Sequence, residues 1–319
     1  MTMIANQQQS RILLVAGWGR CGSTLLAMMF GQVPGMFSAG EVREIWLRGC
    51  VENRPCGCGH SFRDCPFWHA VGERAYGGWN RLDLERVLHI RYSVDRPWGM
   101  PLVLARGTHR IEAYAHALAA LYRAILDVSG CQIIVDTSKL PSHTLILARM
   151  PEIDLRMVHL VRDSRGVAYS TNKHVEKVTT SGPHTLLPRY GPVSSAARYD
   201  FYNGVTSAWR ASGVPYLRLR YEDLIADPRQ RLREVLAHAG QLGEPELPFL
   251  KGAQADLAEN HLVDGNPIRF AHGPMQLRPD DEWRQMMPTL SRRTVTALTL
   301  PLLAAYGYRS IGRGRHRSA

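Results

Sequence analysis

The 319-residue chain lacks any uncharged apolar run approaching the roughly 20 residues that a helix needs to cross a bilayer. Its first residues, MTMIANQQQS, contain no basic segment followed by an apolar stretch and a cleavage site, so they do not resemble a signal peptide. Repeats of fixed period and low-complexity linkers are also missing. We therefore expect a cytoplasmic protein whose six cysteines stay reduced unless they bind metal or react.

Acidic residues are in the minority, with 28 Asp and Glu against 39 Lys and Arg, which gives a formal net charge of +11. This balance suits a polyanionic ligand, an acidic substrate, nucleic acid or a membrane surface. Part of the excess lies in an Arg-rich tail, residues 309–319, whose Gly and Ser neighbours indicate a solvated chain end. No recognition-helix, zinc-finger or RNA-binding motif is present, so nucleic acid is not an expected partner.

Short apolar runs alternate with helical patterns along the chain. The strand-like runs are RILLVAG, CQIIVD, LRMVHLV and VPYLRLR, and helix-like segments follow the first, third and fourth. This alternation predicts an α/β domain with a parallel sheet, helices on both faces and ligands beyond the carboxyl ends of the strands. The length suits one domain, with a core over about residues 11–308 and a cysteine-containing insertion at 50–110.

The first strand is followed by a glycine-rich loop, residues 17–24, which reads GWGRCGST. The spacing is that of a P-loop, except that Ser23 stands where kinases have a lysine and a cation comes earlier, at Arg20. Backbone N–H groups of such a loop and the following helix N-terminus can hold a phosphate. The missing lysine disfavours γ-phosphoryl chemistry, whereas a single 5′-phosphosulfate still fits. A glycine-rich turn without a ligand is the alternative.

The second loop follows the LRMVHLV strand and reads VRDSRGVAYS. It puts Arg162 just past the strand, Arg165 at the start of the next helix and Ser170 in that helix's second turn. A guanidinium and a hydroxyl at a helix N-terminus can hold one phosphate. The alternative is an arginine paired with Asp163 and a serine bonded to its own helix. Two phosphate-type loops in one sheet favour a bisphosphorylated nucleotide.

GWGRCGSTLL followed by VRDSRGVAYS resembles the 5′-phosphosulfate and 3′-phosphate loops of the PAPS-dependent sulfotransferases, whose fold is related to the P-loop nucleotide kinases. The similarity is greatest to bacterial members whose first loop reads G-x-G-R-S-G-S-T, and it runs from about Arg11 to the mid-280s. The resemblance implies a three-layer α/β/α domain with helical insertions that uses PAPS, 3′-phosphoadenylyl sulfate, as sulfuryl donor. The residues that it assigns to donor binding are Arg20, Cys21, Gly22, Ser23 and Thr24 on the 5′ side, and Arg162 and Ser170 at the 3′-phosphate. Cys21 replaces the usual serine of this bacterial pattern, which weakens a side-chain contact but leaves the backbone cradle.

A third segment, HLVDGNPIRF at residues 261–270, resembles the C-terminal loop that closes over the nucleotide in this family. Gly265 and Asn266 allow a tight turn, and Arg269 could add a cation to the phosphates. Asn266 and Arg269 therefore join the predicted donor-binding residues. An ordinary Asn-Pro surface turn is the alternative.

Sulfuryl transfer needs a base for the acceptor proton and cations for the developing charge. Glu41, after the probable second strand, is the leading candidate base, because similar sulfotransferases have a glutamate or histidine there. Glu44 is the alternative if Glu41 only caps a helix. Lys139, in VDTSKLPS, resembles a lysine that contacts the bridging oxygen or sulfuryl group in related enzymes. Asp136 in that segment mimics a Walker B carboxylate and supports the competing hypothesis, a kinase.

Four cysteines cluster in CVENRPCGCGHSFRDCPFWH, namely Cys50, Cys56, Cys58 and Cys65, interleaved with His60 and His69. Thiols and imidazoles of this kind can bind zinc, but the spacing lacks two clean Cys-x-x-Cys pairs. Reduced thiols, a local disulfide and a structural zinc all remain possible at this point. The transfer chemistry itself requires no metal, and none is assigned to the site.

The sequence thus predicts a sulfotransferase that moves a sulfuryl group from PAPS to a hydroxyl of a small molecule or carbohydrate. The alternative is a P-loop kinase that uses ATP and magnesium, and the missing P-loop lysine separates the two. The sequence carries no signal for the identity of the acceptor or for the oligomeric state.

Overall fold

The computed structural model describes residues 9–94, 96, 109–173, 188–241, 243 and 245–308. The predicted tail at 309–319 and a part of the predicted insertion, residues 97–108, lie outside the described residues. Within the described ranges, no helix has both the length and the apolar character needed to cross a membrane.

Five parallel strands form the central sheet, in the order β2–β3–β1–β4–β5. Their bounds are β1 Ser10–Ala16, β2 Met36–Gly40, β3 Ile133–Asp136, β4 Ile153–Val161 and β5 Tyr216–Arg220. All the strands that the apolar runs predict are present, and β1 lies in the middle, paired with β3 and β4. The loops that follow β1, β2, β3 and β4 consequently leave the same edge of the sheet, because parallel strands share one carboxyl edge.

Both faces of the sheet are buried, as the continuous apolar runs predict. Along β1, Ile12 and Leu14 belong to one apolar cluster, while Leu13 and Val15 belong to a second cluster on the opposite face. All four side chains are fully buried. The structure is therefore a three-layer α/β/α domain, and the predicted fold class is confirmed.

Helices cover both faces and link the strands. Their bounds are α1 Ser23–Phe30, α2 Pro66–Tyr76, α3 Leu84–Val94, α4 His109–Ser129, α5 Pro141–Leu147, α6 Ser164–Asn172, α7 Pro192–Ala208, α8 Tyr221–Ala226, α9 Pro228–His238, α10 Trp283–Met286, α11 Thr289–Leu298 and α12 Leu300–Ala305. A π-helical segment, Ile45–Val51, follows a single 3₁₀ turn at Val42–Glu44. Helix α1 begins at Ser23, as the sequence predicts, so its N-terminus lies directly beside the glycine-rich loop.

A small antiparallel sheet that the sequence did not predict lies near the C-terminus. Its strands are β6 Leu250–Lys251, β7 Gln254–Leu257 and β8 Gly273–Gln276. The pairing of Leu257 with Gly273 closes the base of the intervening segment, residues 258–272, which we call the C-terminal loop. Fixing both ends of this loop directs it toward the carboxyl edge of the central sheet, where Val263 forms a parallel bridge with Gly40.

Candidate active site

The loops after β1, β2, β3 and β4 open into one cavity of about 390 Å³, and the C-terminal loop forms another wall. Most of the sequence-predicted site residues line it. These are Arg20, Gly22, Ser23, Thr24, Glu41, Lys139, Arg162, Ser170 and Asn266. Cys21 and Arg269 do not belong to the lining.

The glycine-rich loop between β1 and α1 forms a compact cradle. Gly17 and Gly22 have φ values of 133° and 95°, a region that favours glycine. A Cβ atom on Gly22 would lie 2.5 Å from the ring of Tyr221, and one on Gly17 would lie 2.5 Å from the carbonyl oxygen of Leu160. The loop therefore needs glycine at both positions to lie this close to its neighbours. At its end, Ser23 and Thr24 begin α1, where the first N–H groups have no acceptor within the helix and can bind an anion.

Cys21 contributes its backbone alone to this cradle. Its side chain is 2% exposed and packs in the apolar cluster beneath α1. Burial raises the pKa of the thiol, which keeps it neutral. Cysteine in place of the serine of the similar bacterial loops thus puts a small apolar group in the core.

The guanidinium of Arg20 lies at the second loop, although the sequence assigned this residue to the 5′ side. Arg20 has a left-handed backbone conformation, with φ of 64°, and its Nε donates to Ser170 Oγ at 3.0 Å. Arg162 is almost fully buried, donates to the carbonyl oxygen of Arg20 at 3.1 Å and lies 4.9 Å from the centre of the Tyr221 ring. Two guanidinium groups and one hydroxyl therefore form a single polar cluster between the two loops.

Asp280, which the sequence reasoning missed, holds Arg162 in this cluster. Its carboxylate lies 2.8 Å from Arg162, and its backbone carbonyl accepts a second hydrogen bond at 3.0 Å. No local pattern distinguishes Asp280 from other aspartates, so only the fold reveals this contact. An anion bound to Arg162 would have to compete with this carboxylate.

Arg165, by contrast, serves the structure of the second loop. Its guanidinium pairs with Asp163 at 2.6 Å, and the Asp163 carboxylate also accepts from the backbone N–H of Arg165, which caps α6. Arg165 also stacks 4.7 Å from the Trp283 ring. The arginine that pairs with Asp163 is therefore Arg165. Arg162 does not take part in that pairing and lines the cavity.

Glu41 and Lys139 meet in the cavity. Glu41 is the residue directly after β2, and Lys139 lies three residues after β3, the neighbouring strand. The Lys139 ammonium donates to the Glu41 carboxylate at 2.8 Å and to the carbonyl oxygen of Thr137 at 3.1 Å. A carboxylate and an ammonium group are thus held together beside the glycine-rich loop.

The pKa values of this pair are shifted by burial and by mutual attraction. Burial raises the pKa of Glu41 above its ordinary value, although Lys139 opposes the shift. Burial alone lowers the pKa of Lys139, but the facing carboxylate of Glu41 raises it above its ordinary value. The lysine therefore stays cationic, and Glu41 is a stronger base than an exposed glutamate.

Glu44, the alternative base, lies away from the cavity in an ionic cluster. Its carboxylate accepts from Arg91 at 2.9 Å, pairs with Arg43 and lies 3.6 Å from Arg48. The side chains of Glu44 and Arg91 are only 10% and 3% exposed. Glu44 therefore neutralises the buried Arg91 together with two partly exposed arginines, and it does not line the cavity.

The C-terminal loop contacts the glycine-rich loop directly. The backbone N–H of Asn266 lies 3.3 Å from Thr24 Oγ1, and Asp264 pairs with Arg54 at 3.2 Å across the cavity. Arg54, Asp264 and Gly265 also line the cavity, and the sequence reasoning did not assign Arg54 or Asp264 to it. Arg269 points away, because its guanidinium is buried and donates to the carbonyl oxygens of Gly265 and Pro55.

Asp136 is not available as a magnesium ligand. It is fully buried beneath the cavity and accepts hydrogen bonds from the Tyr122 hydroxyl at 2.5 Å and the Ser138 backbone at 2.7 Å. His143 lies 3.3 Å from the same carboxylate. Asp136, which resembled a Walker B carboxylate in the sequence, therefore belongs to a structural hydrogen-bond network.

Three of the four clustered cysteines converge on a histidine from the C-terminal loop. Cys56, Cys58, Cys65 and His261 present their ligand atoms within 4.8 Å of one another. Cys50 is buried among apolar residues, and neither His60 nor His69 belongs to the group. His261 could not be recognised as a partner of these cysteines from the sequence, because it lies about 200 positions away in the chain, at the start of the HLVDGNPIRF segment.

Residues 98–242 match the model of a family described as the sulfotransferase family. The matched range contains Lys139 and the whole second loop, with Arg162 and Ser170. The chain is thus similar to sulfotransferases, enzymes that transfer sulfuryl groups, over this part of its length. No curated protein sequence matches the chain significantly.

The solved structures that are similar to the chain include three sulfotransferases or sulfotransferase domains. The sulfotransferase domain of the Synechococcus PCC 7002 olefin synthase is 18% identical, with a TM-score of 0.47 and coverage of 95% of this chain and 98% of that domain. The sulfotransferase domain from the curacin biosynthetic pathway is 15% identical, with a TM-score of 0.49 and coverage of 91% and 96%. A sulfotransferase from Mycobacterium avium is 10% identical, with a TM-score of 0.46 and coverage of 97% and 79%.

The different environments of the two glutamates predict different effects on stability. Glu44→Gln should lower the free energy of unfolding by about 3 kcal/mol, because it removes the anion from a buried cluster of arginines. Glu41→Gln should cost markedly less, since Glu41 and its partner Lys139 both face the cavity. Urea unfolding of the two variants and the parent chain measures this difference, and equal losses would contradict the distinction.

Proposed function

We propose that the protein transfers a sulfuryl group from PAPS to a hydroxyl of a small molecule or carbohydrate. The contact of 2.8 Å between Glu41 and Lys139, beside the glycine-rich loop, carries this proposal. Glu41 would serve as the base for the acceptor, and Lys139 beside it would supply the cation for the leaving group. The family match supports sulfuryl transfer, and the donor and the acceptor class are our inference from the site.

The cavity suits a donor with phosphate at both ends of its nucleoside. Among the described residues that line it, five side chains are cationic and three are carboxylates. One anion subsite is formed by Ser23 and Thr24 at the N-terminus of α1, and suits the 5′-phosphosulfate. The second is the cluster of Arg20, Arg162 and Ser170, which suits the 3′-phosphate.

The reaction follows from these positions. PAPS supplies a sulfuryl group attached to its 5′-phosphate oxygen. The Glu41 carboxylate accepts the proton of the acceptor hydroxyl, whose oxygen forms a new bond to sulfur while the bond between sulfur and the phosphate oxygen breaks. Lys139 and the N-terminus of α1 stabilise the negative charge that develops on the sulfuryl and departing phosphate oxygens.

The alternative, phosphoryl transfer from ATP with magnesium, has less support. Ser23 occupies the place of the lysine that kinases direct at the β- and γ-phosphates, and Asp136 is buried in its own network. The three carboxylates that do line the cavity each contact a basic side chain. These pairs suit anion recognition better than coordination of a divalent cation.

We further propose that the described residues form one sulfotransferase domain that works in a reducing compartment such as the cytoplasm. None of the six cysteines, all of which lie among the described residues, forms a disulfide. Three of them lie in the group with His261, beside the C-terminal loop that lines the cavity. Oxidation of these thiols would disturb that wall, so a reducing environment suits the site.

Replacing the proposed base should abolish most of the activity and alter its pH dependence. Glu41→Gln should lower kcat by about 10²–10⁴-fold, the usual contribution of a general base. In the parent enzyme, kcat/KM should fall as the pH drops through the pKa of Glu41, which burial raises above 4.5, because the protonated carboxyl cannot accept a proton. The variant should lose this acidic limb.

The measurement is transfer of labelled sulfuryl from PAPS to a panel of phenols, alcohols and sugars. Glu73→Gln, which alters an exposed carboxylate on α2, is the matched control and should retain the parent rate. Unchanged turnover in Glu41→Gln with intact donor binding would exclude Glu41 as the base.

Arg162→Ala should weaken binding of 3′,5′-adenosine bisphosphate by about 10–100-fold, because it removes a charged hydrogen bond to the 3′-phosphate. Binding of AMP, which lacks that phosphate, should change far less. Isothermal titration of both nucleotides measures the effect, with Arg74→Ala on the surface of α2 as the control. Equal losses for the two nucleotides would contradict the assignment of Arg162.

A further inference from the structure

None of the four side chains in the group of Cys56, Cys58, Cys65 and His261 lines the cavity. We propose that these four side chains bind one structural zinc ion, and that the ion fastens the C-terminal loop to the cysteine-rich segment. Three thiolates and one imidazole form a common ligand set for structural zinc, and four protein ligands leave no open position for catalysis. This inference does not depend on the identity of the sulfuryl donor.

Four of the six distances within the group match a tetrahedral zinc site, and the other two are no longer than 4.8 Å. Zinc bonds of about 2.3 Å to sulfur and 2.0 Å to nitrogen require separations of about 3.8 Å between sulfurs and about 3.5 Å between sulfur and nitrogen. The Cys65 sulfur lies 3.7 Å from both the Cys56 sulfur and the Cys58 sulfur. The Nδ1 atom of His261 lies 3.6 Å from the Cys56 sulfur and 3.4 Å from the Cys65 sulfur.

A disulfide explains this arrangement less well. The two short sulfur separations of 3.7 Å exceed the bonded distance of about 2.0 Å, and both involve the sulfur of Cys65. One disulfide would use two of the three thiols and leave the third facing the imidazole. A metal ion uses all four groups at once.

The residues around the group hold its ligands in place. The Trp68 indole N–H donates to the carbonyl oxygen of His261 at 2.9 Å, and the Phe67 ring stacks on the imidazole with centroids 5.0 Å apart. Cys56 begins a tight turn in which its N–H donates to the His60 carbonyl and its own carbonyl accepts from Gly59. These contacts therefore orient the histidine before an ion binds. Residues that surround the ligands commonly have this effect at metal sites.

The group links two segments that both contribute to the cavity. Arg54 precedes Cys56 by two residues, and Asp264 follows His261 by three, and these two side chains pair across the cavity. The Gly57 N–H also donates to the Leu262 carbonyl at 3.1 Å. A zinc ion would fix this junction and hold the C-terminal loop against the site.

Buried positive charge lies beside the group. The Arg269 guanidinium is 3% exposed and donates to the carbonyl oxygen of Pro55, the residue before Cys56. Three thiolates and a neutral imidazole around Zn²⁺ carry a net charge of −1. Arg269 is therefore well placed to balance a zinc–thiolate centre, which gives this arginine a role outside the phosphate subsites.

Metal content of the full-length protein tests the proposal. Protein purified without chelator and under reducing conditions should contain about one zinc per chain by inductively coupled plasma mass spectrometry. Titration of its thiols with a mercurial should release that zinc. The variants Cys58→Ser and His261→Gln should each lower the zinc content at least tenfold.

Matched controls separate ligand loss from general damage. Cys131→Ser alters another partly buried thiol, and His60→Gln alters the imidazole that contacts Cys58 from outside the group, so both should retain the metal. If the ligand variants do not fold, the zinc in the parent protein can be replaced by cobalt. The cobalt protein should then show the visible absorption bands of a tetrahedral thiolate site. The proposal would be overturned by zinc below about 0.1 per chain or by a disulfide among these cysteines. Full zinc in both ligand variants, or an octahedral cobalt spectrum, would also overturn it.

Discussion

The site depends on a pair of backbone hydrogen bonds that join the C-terminal loop to the end of β2. The Val263 N–H donates to the Ala39 carbonyl at 3.0 Å, and the Glu41 N–H donates to the Val263 carbonyl at 2.9 Å. Between them, Gly40 has a φ of 80°, and a Cβ atom there would collide with the backbone of Val263. Because Glu41 comes next in the chain, this contact sets the position of the proposed base relative to Lys139. It also brings Asp264 and Asn266 to the cavity and His261 to the three cysteines.

Charge in the cavity is organised in pairs before any ligand binds. Lys139 faces Glu41, Arg162 faces Asp280, and Arg54 faces Asp264. Each cation is thereby held in a defined place, which reduces the reorganisation needed when a phosphate or sulfuryl oxygen arrives. An entering anion has to compete with carboxylates, so the site should favour ligands that can engage several cations at once. A nucleotide with phosphates at both ends is such a ligand.

Features that neighbouring residues determine could be predicted from the sequence, whereas contacts between distant segments could not. The strands of the central sheet are buried on both faces, so their apolar runs could be recognised directly, and the start of α1 follows from the glycine-rich loop. The strands β6, β7 and β8 have two to four residues and carry too little periodicity to be recognised. Asp280 and His261 act through contacts with segments more than a hundred positions away, which no local pattern encodes. The contact between Arg20 and Ser170 of the second loop could not be predicted, because the left-handed conformation of Arg20 is not apparent from the sequence.

Calorimetric titration of the parent protein with 3′,5′-adenosine bisphosphate, and separately with ATP and magnesium, tests the central claim most directly. The two proposed anion subsites should give tight binding of the bisphosphate, because it places a phosphate at each, and little heat with ATP. Binding of ATP with magnesium together with no response to the bisphosphate would contradict the account, and would mean that the glycine-rich loop serves phosphoryl transfer despite Ser23 in the lysine position.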